Sequence, residues 1–241
     1  MISDRMAKVL PLLRTGPWPD VAAHAADLLG VDRIAVSVGS GSGEPEILWS
    51  SEGASRGFED LQTVLGHGPG PDCLSGGIPV RVPDLARVRA DRWPALVTEA
   101  SALAVQAVFC FPLRIGAITL GVLTLVRSTA GHMSPAQGGD VTVLAGVVTE
   151  RVLELVDPQL PSPEHQDLAA LALPQAVVHQ ATGMVSVQLA VPLAEALLRL
   201  RAYAYSNTRT LNDTAQDIVS RRLRLAPDPQ PPNDTDDADE D

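Results

Sequence analysis

The chain has 241 residues, a hydrophobic fraction of 45% and a formal net charge of -11 at pH 7. This length and apolar content suit one sizeable domain plus a small one. No run approaches the roughly 18 apolar residues that a membrane span requires, and the N-terminus lacks a secretory pattern, so we expect a cytoplasmic protein. The two cysteines, Cys73 and Cys110, form neither a disulfide framework nor a metal-ligand set.

The first part of the chain predicts helices followed by a hairpin. Helical spacing of apolar residues predicts an N-terminal amphipathic helix within residues 1–19, and a second helix runs from Asp20 to Leu29 with Gly30 as its stop. Residues 33–38 alternate like a strand, and residues 46–50 read as its hairpin partner. The glycine run at 39–43 is the hairpin tip, because no lysine or helix follows it as in a phosphate-binding loop.

The middle of the chain predicts an antiparallel sheet. A loop at 66–71 precedes a short strand near Val80 and a helix that opens at Arg92-Trp93-Pro94. Residues 107–113 and 118–126 are apolar strands joined by a turn at Gly116, and a helix over 134–156 begins with Ser134 as its cap. This order of elements indicates an α+β domain with a mostly antiparallel sheet flanked by helices.

Residues 20–156 resemble a GAF domain of the type found in bacterial signalling proteins. The resemblance rests on GHGP at 66–69, GGIPVRVPDL at 76–85, RWP at 92–94, and FPLRIG with LGVLTL at 111–125. It implies a sensor that binds a small molecule, a cyclic nucleotide, haem or a tetrapyrrole, or that only dimerises. The sequence has no diagnostic residue set for any of these, so the existence and identity of a ligand or cofactor stay open.

Five residues of this region have alternative interpretations. Cys73 is interpreted as an ordinary loop cysteine rather than a redox sensor, since no basic residue stands beside it. Cys110 lies in a strand and is expected in the core. His67 is interpreted as a solvated loop histidine rather than a ligand contact. Trp49 and Trp93 are either core anchors or pocket walls.

The C-terminal part predicts three short amphipathic helices. The first carries Val178, Thr182, Val185 and Leu189 on one face and stops near Pro192, where the second begins. A polar connection over 206–210 leads to the third helix, for which Asn212 or Asp213 is a candidate cap. Three helices of this length need a neighbour or a partner chain for stability.

This three-helix stretch resembles the ANTAR module, an RNA-binding domain of bacterial transcription antiterminators. The resemblance is carried by HQATGM at 179–184 and by these later positions: Ala196, Leu200, Arg201, Ala204, Asn207, Arg209, Leu211 and Ala215. Tyr203 and Tyr205 depart from the family pattern, and residues 186–189 lack its usual basic residue. The implied organisation is a linker at 157–163 and a C-terminal three-helix ANTAR bundle at 164–226. The proline-rich, acidic composition of residues 227–241 separately predicts a disordered tail.

The ANTAR resemblance implies that the protein binds paired RNA hairpins in nascent transcripts. Arg201 and Arg209 are expected to meet phosphate or base, and Tyr203 is added as a candidate for base stacking. Alternatively, Arg201 pairs with Glu195 or Asp217, and Gly183 only permits close helix packing. The complete set of candidate RNA contacts is Gln180, Thr182, Gly183, Arg201, Tyr203, Ser206, Asn207 and Arg209.

A heptad rhythm across the two parts predicts a homodimer. The seam consists of Val141, Leu144, Val148, Val152 and Leu155, continued by Leu168, Leu171, Gln175, Val178, Thr182, Val185 and Leu189. The alternative is that these are amphipathic helices packing on their own domains.

The expected function is therefore a signal-responsive regulator without enzymatic activity. One alternative is a GAF-domain interaction dimer without RNA binding. Another is a GAF-type redox enzyme such as a free methionine sulfoxide reductase, which two cysteines in unlike settings argue against. The role expected of the acidic tail is to increase solubility. Alternatively, the tail shields Arg221, Arg222 and Arg224 and competes with RNA for them.

Overall fold

A computed structural model describes residues 2–39, 45–51, 53–89, 91–156 and 165–226. For residues 155, 156 and 165–176 it describes the backbone only. The predicted linker at 157–163, the acidic tail at 227–241 and most of the glycine hairpin tip at 39–43 lie outside these residues. The helices are α1 (Asp4–Thr15), α2 (Trp18–Leu29), α3 (Ala54–Leu65), α4 (Pro69–Gly76), α5 (Pro94–Ala102), α6 (Pro135–Val156), α7 (His165–Leu189), α8 (Leu193–Ser206) and α9 (Leu211–Val219). The strands are β1 (Arg33–Gly39), β2 (Pro45–Ser50), β3 (Val80–Val82), β4 (Ala107–Ile115) and β5 (Ile118–Arg127).

The five strands form one antiparallel sheet in the order β2-β1-β5-β4-β3. Strands β4 and β5 form a hairpin whose turn contains Gly116 at φ 57°, a conformation that suits glycine. The α+β architecture with an antiparallel sheet, predicted from the order of elements, is confirmed.

Both faces of the sheet are covered, which explains why its central strands are apolar throughout. Along β4, Phe109 and Phe111 face a core formed with α1, α2 and α6. Val108 and Cys110 alternate with them and face a second core that includes Phe58 of α3. We refer to residues 2–156 as the sheet domain.

The residues predicted as a dimer seam on α6 pack inside the chain instead. Val141, Leu144, Val148 and Val152 are buried in the core beneath the sheet. Thr182 and Val185 of α7 are likewise buried, the latter among residues of α8 and α9. These residues therefore fit the alternative interpretation, in which each amphipathic helix packs on its own part of the chain, because their apolar side chains are already buried there. The side chains of Leu155, Leu168, Leu171 and Gln175 lie outside the description, and a homodimer stays a prediction.

Local capping corrects two details of the sequence analysis. The segment predicted as a loop over 66–71 already enters α4 at Pro69, the first helical position where proline is tolerated. Helix α9 is capped by Thr210, whose Oγ1 accepts a hydrogen bond from the Asp213 amide at 3.0 Å, rather than by Asn212 or Asp213. The predicted cap Ser134 is confirmed, since its Oγ accepts from the Gln137 amide at 3.2 Å.

Helices α7, α8 and α9 pack around a small apolar core of their own. Ala181, Leu200, Ala215 and Ile218 are fully or almost fully buried in it. Val64, from α3 of the sheet domain, is buried in the same core. The predicted dependence of these short helices on a neighbour is therefore met within the chain by α3.

Within the described residues, no single helix is long and apolar enough to cross a membrane. The segments Val177–Leu189 and Leu193–Ser206 meet the length and composition criterion only as a pair, and they are bent by 105° relative to each other.

Replacing Gly121 by alanine is expected to destabilise the sheet domain. Gly121 of β5 lies opposite Val38, and a Cβ atom there would collide with the backbone carbonyl oxygen of Ser37. Because backbone cannot move aside cheaply, we expect Gly121→Ala to lower the free energy of unfolding by about 2 kcal/mol or more in urea titrations. Gly146→Ala is the matched control: this exposed position of α6 has nothing within 4 Å of an added Cβ, so it should be neutral or stabilising by up to ~1 kcal/mol. Equal stability of the two variants would contradict the prediction.

Candidate functional site

Three of the predicted RNA-contacting residues lie together where α8 ends. The Asn207 side-chain amide donates to the Tyr203 carbonyl at 2.8 Å and to Ser206 Oγ at 3.1 Å. Ser206 and Asn207 are exposed and Tyr203 is half-buried. Thr208 follows with a left-handed backbone, φ 52°, which turns the chain toward α9. This corner therefore combines an aromatic ring with an exposed amide and an exposed hydroxyl.

Arg209 joins this group from the connection between α8 and α9. Its guanidinium donates to Asp217 Oδ2 at 2.5 Å, and Asp217 also pairs with Arg222 at 2.7 Å. The hydrogen bonds from Arg209 and Arg222 lower the pKa of the Asp217 carboxyl, and the hydrogen bond to Asp217 raises the pKa of Arg209. We call Tyr203, Ser206, Asn207 and Arg209 the α8–α9 corner.

Arg201 lies on a different side of α8, against the sheet domain. Its Nη1 atom is 3.2 Å from the position that a Cβ atom on Gly66 would take. The acids that the alternative interpretation assigned to it have other partners: Glu195 pairs with Arg199 at 2.9 Å, and Asp217 pairs as described above.

The three predicted residues of α7 differ in accessibility. Gln180 is exposed, whereas Thr182 is buried and its hydroxyl donates to the Val178 carbonyl at 2.7 Å. A Cβ atom on Gly183 would meet nothing within 4 Å among the described residues, so close helix packing does not account for this glycine. The structure thus gathers four of the eight candidates at the α8–α9 corner, with Thr182 in the interior and Arg201 at the sheet domain.

The sheet domain contacts α7 and α8 through residues that the sequence analysis did not single out. Glu46 Oε1 of β2 lies 2.6 Å from His179 Nε2, and Glu99 Oε1 of α5 accepts from the Tyr205 hydroxyl at 3.5 Å. Val64 fills the apolar centre of the junction. These residues belong to separate elements without a shared motif, so only the tertiary structure brings them together.

A buried polar cluster lies beneath α3, and the sequence analysis missed it. Glu59 is only 3% exposed, and its carboxylate accepts from Ser37 Oγ at 3.1 Å and Gln62 Nε2 at 3.3 Å. Loss of hydration raises the pKa of Glu59 to about 7, although hydrogen bonds from Thr124 and Ser37 oppose this rise. The amphipathic pattern of α3 could have signalled the cluster, because Glu59 and Gln62 interrupt its apolar face.

Gln62 connects this cluster to the GHGPG segment. Its Oε1 accepts from the Gly70 amide at 2.7 Å, and a Cβ atom on Gly68 would lie 2.6 Å from the same oxygen. Gly68 also has φ 149°, so both space and backbone conformation favour glycine there. The segment therefore passes closely over Gln62 as it leaves α3 and enters α4.

Both cysteines are buried free thiols in the same core, which corrects the prediction of two unlike settings. Cys73 lies in α4 rather than in a loop, and burial raises its pKa to about 12. Cys110 is in the core as predicted, and burial also raises its pKa. Since the thiolate is the reactive form, neither cysteine is activated at neutral pH.

The burial of Trp49, Trp93 and His67 decides between the alternative interpretations of these three residues. Trp93 is a core residue at 2% exposure, and Trp49 is half-buried and stacks on Trp18 with ring centroids 6.3 Å apart. His67 is half-buried rather than solvated, and its Nδ1 atom is buried. Among the described residues, no group of three His, Cys, Asp or Glu side chains is placed to hold a metal ion.

Removing the charge of Glu59 should change how stability depends on pH. Its folded-state pKa of about 7 exceeds the ordinary value of 4.5, so its contribution is fully present below pH 4.5 and is lost as pH rises through 7. Glu59→Gln should therefore gain stability relative to the unmodified protein between pH 5 and pH 8, by up to about 3 kcal/mol. Urea titrations across this range measure it, with exposed Glu154→Gln as control. Parallel curves for Glu59→Gln and the unmodified protein would contradict the prediction.

Comparison with known proteins identifies the sheet domain. No curated protein matches the chain. A GAF domain from an Acinetobacter phosphoenolpyruvate-protein phosphotransferase is 10% identical, with 62% of this chain and 91% of that chain covered and a TM-score of 0.46. The corresponding GAF domain from Coxiella burnetii is 14% identical, with 63% and 95% covered and a TM-score of 0.46. The family model for the GAF domain matches residues 19–152, more than half of the chain, and the chain therefore belongs to the GAF domain family, whose sensor fold is typical of signalling proteins.

Proposed function

We propose that this protein is a signal-responsive RNA-binding regulator. Its GAF sensor domain controls the C-terminal helices, which resemble the ANTAR module and bind paired RNA hairpins in nascent transcripts to promote antitermination. The proposal includes a homodimer, so that two copies of the C-terminal helices meet two hairpins. The observation that carries it is the α8–α9 corner, where four of the residues expected to contact RNA lie side by side.

The chemistry of this corner suits unpaired bases. Hairpin loops expose bases that stack on aromatic rings and accept or donate hydrogen bonds along their edges. Tyr203 supplies a ring, while Ser206 and Asn207 are exposed for hydrogen bonding. Arg209 is held by Asp217 at 2.5 Å, so its guanidinium is oriented before a phosphate or base approaches, which lowers the entropy lost on binding.

The junction between the C-terminal helices and the sheet domain, which from here on is called the sensor domain, supports signal control. Arg201 lies against Gly66, and His179, next to the exposed Gln180, contacts Glu46. The sensor domain thus contacts Arg201, which is an expected RNA contact, and His179, which is the neighbour of the expected RNA contact Gln180. A signal that favours a state with α3 displaced would release Arg201, because a ligand shifts a population only through contacts that differ between two states.

The test is RNA binding across a salt series. We expect selective binding of a paired-hairpin RNA over a scrambled control, with a linear dependence of log affinity on log salt. Arg201→Ala with Arg209→Ala should weaken binding by about tenfold and reduce the salt slope by roughly 1 to 2, since each arginine that meets a phosphate displaces counterions. Fluorescence anisotropy with labelled RNA measures both quantities.

Arg5→Ala with Arg14→Ala is the matched control, because both are exposed arginines of α1 whose acid partners lie within the sheet domain. It should leave affinity and salt slope unchanged, and circular dichroism should confirm that all variants are folded. Unchanged RNA retention by the folded Arg201→Ala, Arg209→Ala variant would overturn the proposal and favour an interaction dimer without RNA binding.

Loosening the junction should increase RNA affinity. Val64→Ala removes apolar contact between α3 and the C-terminal helices without changing charge. If the sensor domain restrains the RNA-binding residues, affinity for the hairpin RNA should rise by about fivefold. Val147→Ala, at a position buried in the core beneath the sheet, makes the same substitution away from the junction and should leave affinity unchanged. An unchanged affinity for Val64→Ala would show that the junction does not restrain binding.

A further inference from the structure

A cavity of about 500 Å³ lies beside β3, the edge strand of the sheet in the sensor domain. Its walls come from β3, from the segment that follows β3 and from the connection between β5 and α6. The amide of Gly131 joins the last two by donating to the Pro83 carbonyl at 2.8 Å. The volume falls within the range of small-molecule sites, about 300 to 1,000 Å³.

The cavity is cationic, whereas the chain as a whole has a formal net charge of -11. The described residues that line it include four arginines and one acid: Arg81, Arg87, Arg89, Arg92 and Asp84. Two further acids, Asp72 and Asp91, pair with Arg92 and Arg89 from outside the lining. Four guanidinium groups then face three carboxylates, so the group keeps a net positive charge.

Two of these arginines lie over aromatic rings of the core. The Arg81 guanidinium carbon is 5.5 Å from the ring centroid of Phe111, and that of Arg92 is 4.1 Å from the ring centroid of Trp93. Phe111 and Trp93 are only 3% and 2% exposed, so packing fixes both rings. This attraction acts between the cation and the face of the ring, so it orients a guanidinium without requiring a hydrogen bond from its N–H groups.

Three of the arginines keep hydrogen-bond donors for a ligand. Within the part of the chain that the structure describes, Arg81 makes neither a hydrogen bond nor an ion pair, and its contact is the Phe111 ring. Arg92 donates to Asp72 from Nη2 at 3.1 Å, which leaves its Nε and Nη1 groups for other acceptors. The Nε atom of Arg87 is 3.6 Å from Asp84 Oδ2, beyond hydrogen-bond distance.

We propose that this cavity binds a small molecule that carries a diphosphate group. The phosphate oxygens accept hydrogen bonds from Arg81 and Arg92, whose planar donor groups match them, while Arg87 and Arg89 add positive charge. A carboxylate offers a single charge and two oxygens, too few to engage several arginines, whereas a diphosphate concentrates several charged oxygens in one place. Val88, an apolar member of the lining, suits the organic part of such a molecule.

The site is independent of the C-terminal helices. Its described lining lies entirely within residues 81–132 of the sensor domain, so it requires neither RNA nor the α8–α9 corner. RNA also carries phosphates, but each has a single charge and a sugar separates it from the next. Several arginines around one cavity fit the concentrated charge of a diphosphate better than this spaced charge.

Calorimetric titration of the full chain tests the site. ADP and inorganic pyrophosphate are titrated separately, without divalent cations and at matched ionic strength, and adenosine is the probe without phosphate. We expect ADP and pyrophosphate to bind with one site per chain. Arg81→Gln with Arg92→Gln should weaken this binding by about tenfold or more, because charge-assisted hydrogen bonds to the ligand are lost. Tighter binding of ADP than of pyrophosphate would assign a nucleoside diphosphate, and equal binding would assign the diphosphate group alone.

Two further variants separate the site from general effects of charge and folding. Arg5→Gln with Arg14→Gln removes the same number of charges from exposed positions of α1 outside the lining and should leave affinity unchanged. Arg81→Gln alone breaks no ion pair among the described residues and should still weaken binding by about threefold or more. Circular dichroism should show that all variants are folded.

The outcomes separate this inference from the proposed function. Absence of binding by both phosphate probes, equal weakening in the two double variants, or adenosine binding as tight as that of ADP overturns the site. If neither probe binds and Arg81→Gln with Arg92→Gln weakens binding of the hairpin RNA, the arginines belong to an RNA surface and the site is likewise overturned. Probe binding that depends on Arg81 and Arg92 supports the site even if the chain retains no RNA, a result that would overturn only the proposed function.

Discussion

The carboxylate of Glu59 lies in the interior beneath α3, where hydrogen bonds from Ser37, Thr124 and Gln62 replace part of its lost hydration. These bonds join α3 to two strands of the sheet, and Gln62 extends the connection to Gly70 at the start of α4. On its other side α3 buries Val64 among α7, α8 and α9. One helix therefore contributes both to the sensor interior and to the junction with the C-terminal helices.

This arrangement supports the proposed control of the C-terminal helices by the sensor domain, because α3 contributes residues to the interiors of both. A buried hydrogen-bonded cluster tolerates few alternative positions, because any shift leaves polar atoms without partners. Movement of α3 is consequently expected to occur between discrete states rather than by gradual drift, and the junction residues would move with it.

Sequence reasoning succeeded where a local pattern carries the information. The apolar strand at 107–113 and the Ser134 cap of α6 depend on neighbouring residues alone, and both are confirmed. It failed where the outcome depends on distant partners. The heptad rhythm of α6 predicted a dimer seam, yet Val148 and Val152 pack inside the chain, because an apolar stripe specifies burial without specifying the partner. Cys73 and Cys110 are 37 residues apart in the sequence and lie in one core, which local patterns around either cysteine do not reveal.

By itself, then, the sequence determined the strands, most of the helices, the antiparallel α+β order and the resemblance to a GAF domain, since these depend on periodicity and on short motifs. Only the tertiary structure decided which charged and polar residues meet. The pairs His179–Glu46 and Tyr205–Glu99 join residues more than a hundred positions apart, and the burial of Glu59 follows from packing against strands far along the chain. Such contacts leave no local signature because each partner is an ordinary surface-type residue until the fold brings the two together.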